Sequence, residues 1–359
     1  MTTDLHQPTR GRVAVAMSGG VDSSVAAALL KEQGCDVIGV TMCFSLPEPT
    51  TGRPACCGAA SVADARRVAE ILGIRHHVLG FEKDLEQLVV ADFLSEYAHG
   101  RTPNPCIRCN EYLKFGRLLD MIRAMDVEFL ATGHYARIVQ RQGVNYLAKG
   151  ADSRKDQSYF LYRLRPEQLA HILFPLGEYT KAQVRAIAKE RKLPVAEKKE
   201  SQEICFVPDD LRSFLAPRLG SRPGEVADTD GNVVAHHDGV HNFTIGQRKG
   251  LGIGTEHVRY VVAIDAANAR VIVGPRSRAM AKGCCLTDCI FPDGLPAERS
   301  LGARVRYRSP EVKVRTRTEG DRVVLEFEEP QFAVTAGQSA VLYDGDLVIG
   351  GGIIDAVVT

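Results

Sequence analysis

Apolar and polar positions follow two regimes along the chain. In roughly the first two hundred residues, short unbroken apolar runs alternate with stretches at helical spacing. Val13, Ala14, Val15, Ala16 and Met17 read as a buried strand, and Val25 and Leu29, with alanines between them, as the helix that follows. Residues 36–44 repeat the apolar run with Val37, Ile38, Val40 and Met42. Val62, Ala65, Ala69 and Leu72 recur at helical spacing and stop at Gly73. A third strand is predicted at 76–79, a helix from about 83 to 97, and a fourth strand from 129 into the turn at Gly133. Beyond it, 137–139 and 146–149 read as a hairpin around Gly143, and 166–172 and 180–191 as helices. Apolar strands separated by helices predict a parallel sheet covered on both faces, an α/β fold.

After about residue 209 the pattern changes. Glycine-rich turns at Pro223-Gly224, Asp230-Gly231 and Asp238-Gly239 separate short strands, and from about residue 270 every element reads as a short strand of a small β-barrel. The expected domains are therefore 1–209, 210–269 and 270–359. Gly250, Gly252 and Gly254 imitate a dinucleotide motif, but no helix follows them. Arg304, Arg306 and Arg308 alternate with Val305 and Tyr307, and Lys313, Arg315 and Arg317 with Val314 and Thr316. Strand side chains alternate between faces, so a hairpin here would line one surface with six cations, suited to a nucleic-acid backbone or simply to solvent.

Composition narrows the class. A chain of 359 residues exceeds one ordinary core, and 45% hydrophobic with 25% charged residues fits a soluble globular protein. With a net charge of +1, any nucleic-acid site must be a local patch. No apolar stretch is long enough to span a bilayer, and the first residues, Met-Thr-Thr-Asp-Leu-His-Gln-Pro, carry no signal-peptide apolar region. Both points argue for a cytoplasmic protein with no membrane partner. There, ten cysteines point to catalytic or metal roles rather than a disulfide framework.

Candidate chemistry begins where the first strand meets its helix, at Ala16-Met17-Ser18-Gly19-Gly20-Val21-Asp22-Ser23. Small residues let backbone N–H groups close on phosphate oxygens, and the helix N-terminus adds positive partial charge. Ser18 and Ser23 add hydroxyls; Asp22 can cap the helix or hold a metal ion. The Gly-Lys-Ser/Thr of the usual phosphate loop is absent. Met42 ends the neighbouring strand, where adenine could lie, although from the residues alone a core methionine is the better reading. Gly133 allows close approach to a backbone, and His134 follows it at a strand's carboxyl end.

In Gly100-Arg101-Thr102-Pro103-Asn104-Pro105-Cys106-Ile107-Arg108-Cys109-Asn110, two prolines predict extended backbone, with a helix from about Glu111. Cys109 at that helix start, flanked by Arg108 and near Lys114, is expected to have a lowered thiol pKa. Cys-x-x-Cys also fits part of a zinc or iron–sulfur site, or a turn with two buried thiols. Cys205 lies in Ile204-Cys205-Phe206, a short apolar run after Lys198 and Lys199. It could meet Cys109 in space, or be a buried strand cysteine. Lys155-Asp156-Gln157-Ser158 is either a helix start capped by Asp156 or Ser158, or a display of Lys155 and Gln157 to phosphates and base edges. Cys56 and Cys57 leave structural and functional roles open; Cys284, Cys285 and Cys289 read as packing.

The loop at 16–23 resembles the pyrophosphate loop of the ATP-pyrophosphatase superfamily, whose members cleave ATP between the α and β phosphates. The whole chain resembles the bacterial tRNA-specific 2-thiouridylases. The matching motifs are that loop, Gly-Arg-Thr-Pro-Asn-Pro with Cys-Asn at 100–110, Ala-Thr-Gly-His-Tyr-Ala-Arg at 131–137, and Lys-Asp-Gln-Ser-Tyr-Phe-Leu at 155–161. Further matches are Ile-Cys-Phe at 204–206, Thr-Ile-Gly-Gln-Arg-Lys-Gly-Leu at 244–251, Arg-Val-Arg-Tyr-Arg at 304–308, and Gly-Gln-Ser-Ala-Val-Leu-Tyr-Asp-Gly-Asp at 337–346.

The resemblance implies a pyrophosphate-loop domain, a small central domain and a C-terminal barrel, with ATP on 16–23, Met42 and Gly133 and Mg²⁺ on its phosphates. It implies that the wobble uridine of a tRNA for Lys, Glu or Gln lies against Asn104, Pro105 and Cys106. Its C2 oxygen would be adenylated, and sulfur would come from a persulfide on Cys205. Cys109 is then the second catalytic thiol, ending in a Cys109–Cys205 disulfide. His134, Lys155, Asp156, Gln157, Arg306, Tyr307 and Gln338 become tRNA contacts, and a cysteine desulfurase or relay protein the sulfur donor. Cys106 departs from the family, where many members have Asp. With Cys109 and Cys205 it makes three thiols, which suggests a [4Fe–4S] alternative. Another pyrophosphate-loop synthetase would lack the Asn-Pro…Cys-Asn and Ile-Cys-Phe pair; a non-catalytic RNA-binding protein would not need the loop.

Overall fold

A computed structural model describes residues 4–5, 11–44, 58–199, 204–207, 210–254, 258–296 and 300–359. Cys56 and Cys57 lie outside these residues. The chain forms two compact units. One comprises 1–89, 106–206 and 346–348, the other 90–105, 207–345 and 349–359.

The first unit is built on a five-stranded parallel sheet. Its order is Arg75–Gly80, Asp36–Cys43, Arg12–Ala16, Phe129–Thr132, Ile172–Leu173. The central strand is Arg12–Ala16, so Val13 and Val15 are fully buried. Each such side chain contributes about 1.5–3 kcal/mol of burial. The helix Val21–Glu32 follows, and its alanines let it lie close on the sheet with Val25, Ala26 and Ala27 at zero exposure. The predicted hairpin forms from Ala136–Arg141 and Val144–Lys149. The segment expected to be helical at 166–172 divides instead. Pro166–Leu169 is a single turn, and Ile172 and Leu173 pair with Leu130 and Ala131 as the sheet's edge strand. Proline fixes the helix start, while the β-branched Ile172 suits the sheet.

In the second unit, the helices Ala91–Ala98 and Leu211–Leu219 meet through Phe93 and Phe214, whose ring centroids are 6.3 Å apart. A four-stranded sheet runs Val233–His237, Gly224–Asp228, Arg270–Gly274, Tyr260–Asp265, reaching past residue 270. A closed six-stranded barrel follows from Met280–Ile290, Leu301–Arg304, Val312–Glu319, Arg322–Phe332, Ser339–Asp344 and Leu347–Val358. Cys284 is buried in its core, as packing predicts.

The six-cation face does not form as expected. The strand Leu301–Arg304 ends before Arg306 and Arg308, because the chain turns through Ser309-Pro310. Arg306 points inward and donates to the Ile245 carbonyl and the Thr335 hydroxyl. Lys313, Arg315 and Arg317 do share an exposed face of Val312–Glu319. Glu326 lies opposite Arg315 and pairs with Arg317, which neutralises part of that face.

Candidate active site

The pyrophosphate loop sits where the sequence places it, between the central strand and its helix. Met17 and Val21 face the core, and Ser18 is exposed. The Ser18 N–H donates to Ser23 Oγ at 3.1 Å, and Ser24 Oγ donates to the Gly20 carbonyl at 2.8 Å, which together fix the turn. Gly19 has φ +68, and a Cβ there would run into the Ser61 carbonyl. At Gly133 a Cβ would lie 2.6 Å from the Ser23 nitrogen and 2.8 Å from the Asp22 carbonyl carbon. Strand end and helix start therefore touch backbone to backbone, which only glycine permits. Ala16, Gly20 and Met42 are half-buried around this loop.

Asp22 does not cap the helix: Gly20 occupies the N-cap without a side-chain bond. Instead Lys181 donates to both Asp22 carboxylate oxygens at 2.8 Å, and the Tyr135 hydroxyl donates to Oδ1 at 2.7 Å. Lys181 opens the helix Lys181–Glu190, and its own N–H is held by Asp152 at 3.0 Å. Lys198 donates to the Gly19 carbonyl at 3.0 Å and to Asp64 Oδ2 at 2.7 Å. Neither lysine belongs to one of the motifs. They lie 159 and 179 positions from their partners, and surface lysines give no pattern to read.

This arrangement also bears on magnesium. Asp22 is the only carboxylate within 16–23, and Lys181 already engages both its oxygens. Phosphate oxygens and water, the ordinary ligands of nucleotide-bound Mg²⁺, fit the site better than a protein cage.

The thiols come from the same unit. The helix starts at Pro105, six residues earlier than the prolines suggested, because proline is favoured at the first helical position. It continues as a π-helical stretch, Cys109–Leu118. Such widened turns recur at functional sites. Glu111 anchors it, pairing with Arg163 at 2.7 Å and Arg108 at 3.1 Å. Cys109 is buried, while Cys106 and Cys205 keep solvent-exposed edges. Cys205 lies in a turn, not in the expected buried strand.

The three thiols lie near enough to influence one another. Desolvation, then the Cys109 and Cys106 charges, raises the Cys205 pKa; desolvation, then Cys109, raises that of Cys106. Cys109 is also raised, by burial, and the Lys114 ammonium partly offsets this. The lowered pKa expected of Cys109 is therefore reversed. The thiol is inside the second helical turn rather than at an open N-terminus, so burial outweighs the cation. The residues form no ready metal cage: among the described residues, no three His, Cys, Asp or Glu side chains group as ligands.

His134 donates to or accepts from Thr132 Oγ1 at 2.7 Å and packs between Phe115 and Phe174. Desolvation, then Lys114, holds its imidazole neutral, well below the ordinary range. Lys155 is half-buried beside the fully internal Asp156. The Asp156 carboxylate accepts from Gly150 N, Ser158 N and Ser158 Oγ at 3.0–3.1 Å. Gln157 Oε1 accepts from Tyr135 N at 3.0 Å. Both side chains shape the turn rather than face outward. In the second unit, Gln338 donates to the Thr102 carbonyl at 2.7 Å, two residues before Asn104. Arg101 pairs with Glu96 and Asp355. Tyr307 is half-buried in the turn after Leu301–Arg304.

Residues 11–209 match the family described as tRNA methyl transferase HUP domain. Residues 212–275 match its PRC-barrel domain, and 284–354 the aminomethyltransferase beta-barrel domain. The tRNA-specific 2-thiouridylase MnmA of Geobacter metallireducens is 48% identical over 99% of this chain and 100% of its own length. That of Moorella thermoacetica is 49% identical over 96% and 99%. The chain belongs to the tRNA-specific 2-thiouridylase family. No helix among the described residues is long and apolar enough to cross a membrane.

Proposed function

We propose that this enzyme carries out ATP-dependent 2-thiolation of the wobble uridine in tRNAs for Lys, Glu and Gln. The observation that carries the reading is family membership over nearly the whole chain, with the pyrophosphate loop, Cys106, Cys109 and Cys205 all in one unit. ATP lies with its phosphates on 16–23 and its adenine toward Met42, and Gly133 keeps the loop open to it. Mg²⁺ held by the phosphate oxygens over 16–23 would supply Lewis-acid stabilisation of the pyrophosphate leaving group. The uridine C2 oxygen, beside Asn104, Pro105 and Cys106, attacks the α phosphorus and pyrophosphate leaves. A poor leaving group, the carbonyl oxygen, thereby becomes part of AMP.

The sulfur arrives as a persulfide on Cys205, from a cysteine desulfurase or relay protein. The Cys109 thiolate attacks the Cys205 sulfur, forming the Cys109–Cys205 disulfide and releasing hydrosulfide. Hydrosulfide attacks C2 and expels AMP; a thiol reductant supplies the two electrons that reset the disulfide. Burial favours the protonated form of Cys109, and Lys114 stabilises the thiolate when it forms. In the first unit Lys155 contacts the tRNA, while His134, Asp156 and Gln157 fix the local structure beside it; in the second unit Arg306 and Gln338 fix the backbone of the segments proposed to contact tRNA there. Among the described residues no three His, Cys, Asp or Glu side chains group as metal ligands, and the [4Fe–4S] alternative on Cys106, Cys109 and Cys205 is separated from the persulfide route by iron analysis.

The test is an anaerobic assay with ATP, Mg²⁺, a sulfide source and unmodified tRNA, followed by mass spectrometry for 2-thiouridine and iron analysis of the same sample. Thiolation without iron is the expected result. Thiolation proportional to iron would replace the persulfide route by a cluster. ATP cleaved to AMP with no thiolation would mean another acceptor.

A further inference from the structure

We propose that Lys198 is a positioning residue that presets the Gly19–Gly20 peptide for binding the nucleotide's phosphates. The inference rests on the reading of 16–23 as an ATP site. The Lys198 ammonium donates to the Gly19 carbonyl at 3.0 Å. A trans peptide is planar, with its C=O and N–H pointing in opposite directions. Holding the Gly19 carbonyl toward Lys198 therefore turns the Gly20 N–H the other way. The same contact removes a carbonyl oxygen from the side where phosphate oxygens would be repelled.

Gly19, with φ +68, is the position in the loop where this peptide could most easily flip. Its carbonyl needs an external constraint, and the sequence supplies one. Asp64, on the helix Ala59–Leu72, holds Lys198 by a 2.7 Å ion pair, so the lysine is aimed rather than free to wander. Ser61 on the same helix closes the other side of Gly19. One helix thus supplies both the wall and the counter-ion for the constraint. Because the constraint comes from the chain's own side chains, it reduces the ordering cost of nucleotide binding.

The test is calorimetric titration of wild type, Lys198→Met, Lys198→Arg and Asp64→Asn with ATP and with inorganic pyrophosphate, alongside thermal midpoints. Lys198→Met should weaken both ligands by about tenfold or more, the loss expected for one charge-assisted hydrogen bond. Lys198→Arg, which can still donate to the carbonyl, should recover most of the affinity; Asp64→Asn should lie between. Thiolation under saturating ATP should be affected less than KM for ATP, because the effect is on phosphate binding. Should Lys198→Met bind pyrophosphate as wild type does, the proposal is overturned. If Lys198→Met loses thermal stability, Asp64→Asn and Lys198→Arg decide instead, and equal affinities in both would overturn it too. Wild type that binds neither ATP nor pyrophosphate would overturn the ATP reading itself.

Discussion

Lys181 places its ammonium 2.8 Å from each carboxylate oxygen of Asp22, at the mouth of the pyrophosphate loop. In the proposed ATP site, an uncompensated carboxylate at that position would repel the phosphates. The lysine cancels that charge, and the Tyr135 hydroxyl fixes the carboxylate's orientation.

Lys181→Met should therefore weaken ATP binding by roughly tenfold or more, the equivalent of about 1.5–3 kcal/mol for a lost charge-assisted pair. Adding Asp22→Asn should recover part of the loss, because the uncompensated charge disappears. A double-mutant cycle on ATP affinity reads this coupling directly. Additive effects would mean the two side chains act independently.

Cys109→Ser and Cys205→Ser should each lower thiolation on the order of a thousandfold or more, because a serine hydroxyl neither carries nor attacks a persulfide sulfur. Both variants should still bind ATP, since neither side chain belongs to 16–23. Retained thiolation in either one refutes the assigned sulfur chemistry.

Sulfur transfer should accelerate as pH rises through and beyond the ordinary thiol range, because the reactive species is the thiolate and burial raises Cys109 above its ordinary value. Lys114 favours the thiolates, so Lys114→Met should shift the single-turnover profile to higher pH. A profile that stays in place, or moves down, contradicts the electrostatic role of this lysine.

Gly133→Ala should cost about 1–3 kcal/mol of stability, as the new methyl meets backbone atoms of Asp22 and Ser23 that cannot rotate away. ATP affinity should fall with it, because the helix start is displaced. Thermal denaturation and ATP titration of the same preparation check both; a variant unchanged in each would show that the two backbones can separate freely.

Much of this molecule could be read from its sequence, and the failures have physical causes. Apolar runs at 13–17 and 36–44 marked the two central strands because a parallel sheet buries both faces. The loop between strand and helix was legible from Ser-Gly-Gly and Asp-Ser alone. Pro105 misled because proline both extends a chain and opens a helix, and the second use won. Arg306 misled because alternation suggested a strand that Ser309-Pro310 ends early. The thiol pKa of Cys109 runs opposite to what its neighbours imply, because sequence shows a neighbouring charge but not burial. Lys181 and Lys198 could not be found at all, since only the folded chain brings them to the loop.

The wall that Ser61 presents to Gly19 has a practical corollary for protein engineering. The eight residues of the motif are not a portable cassette. Transplanted with their own strand and helix into a foreign sheet, they would arrive without Ser61, Gly133, Lys181 and Lys198, which give the turn its shape and charge. A working graft must carry a whole neighbourhood drawn from distant stretches of chain, and so the ability to grip a nucleotide belongs to the unit rather than to the signature by which it is recognised.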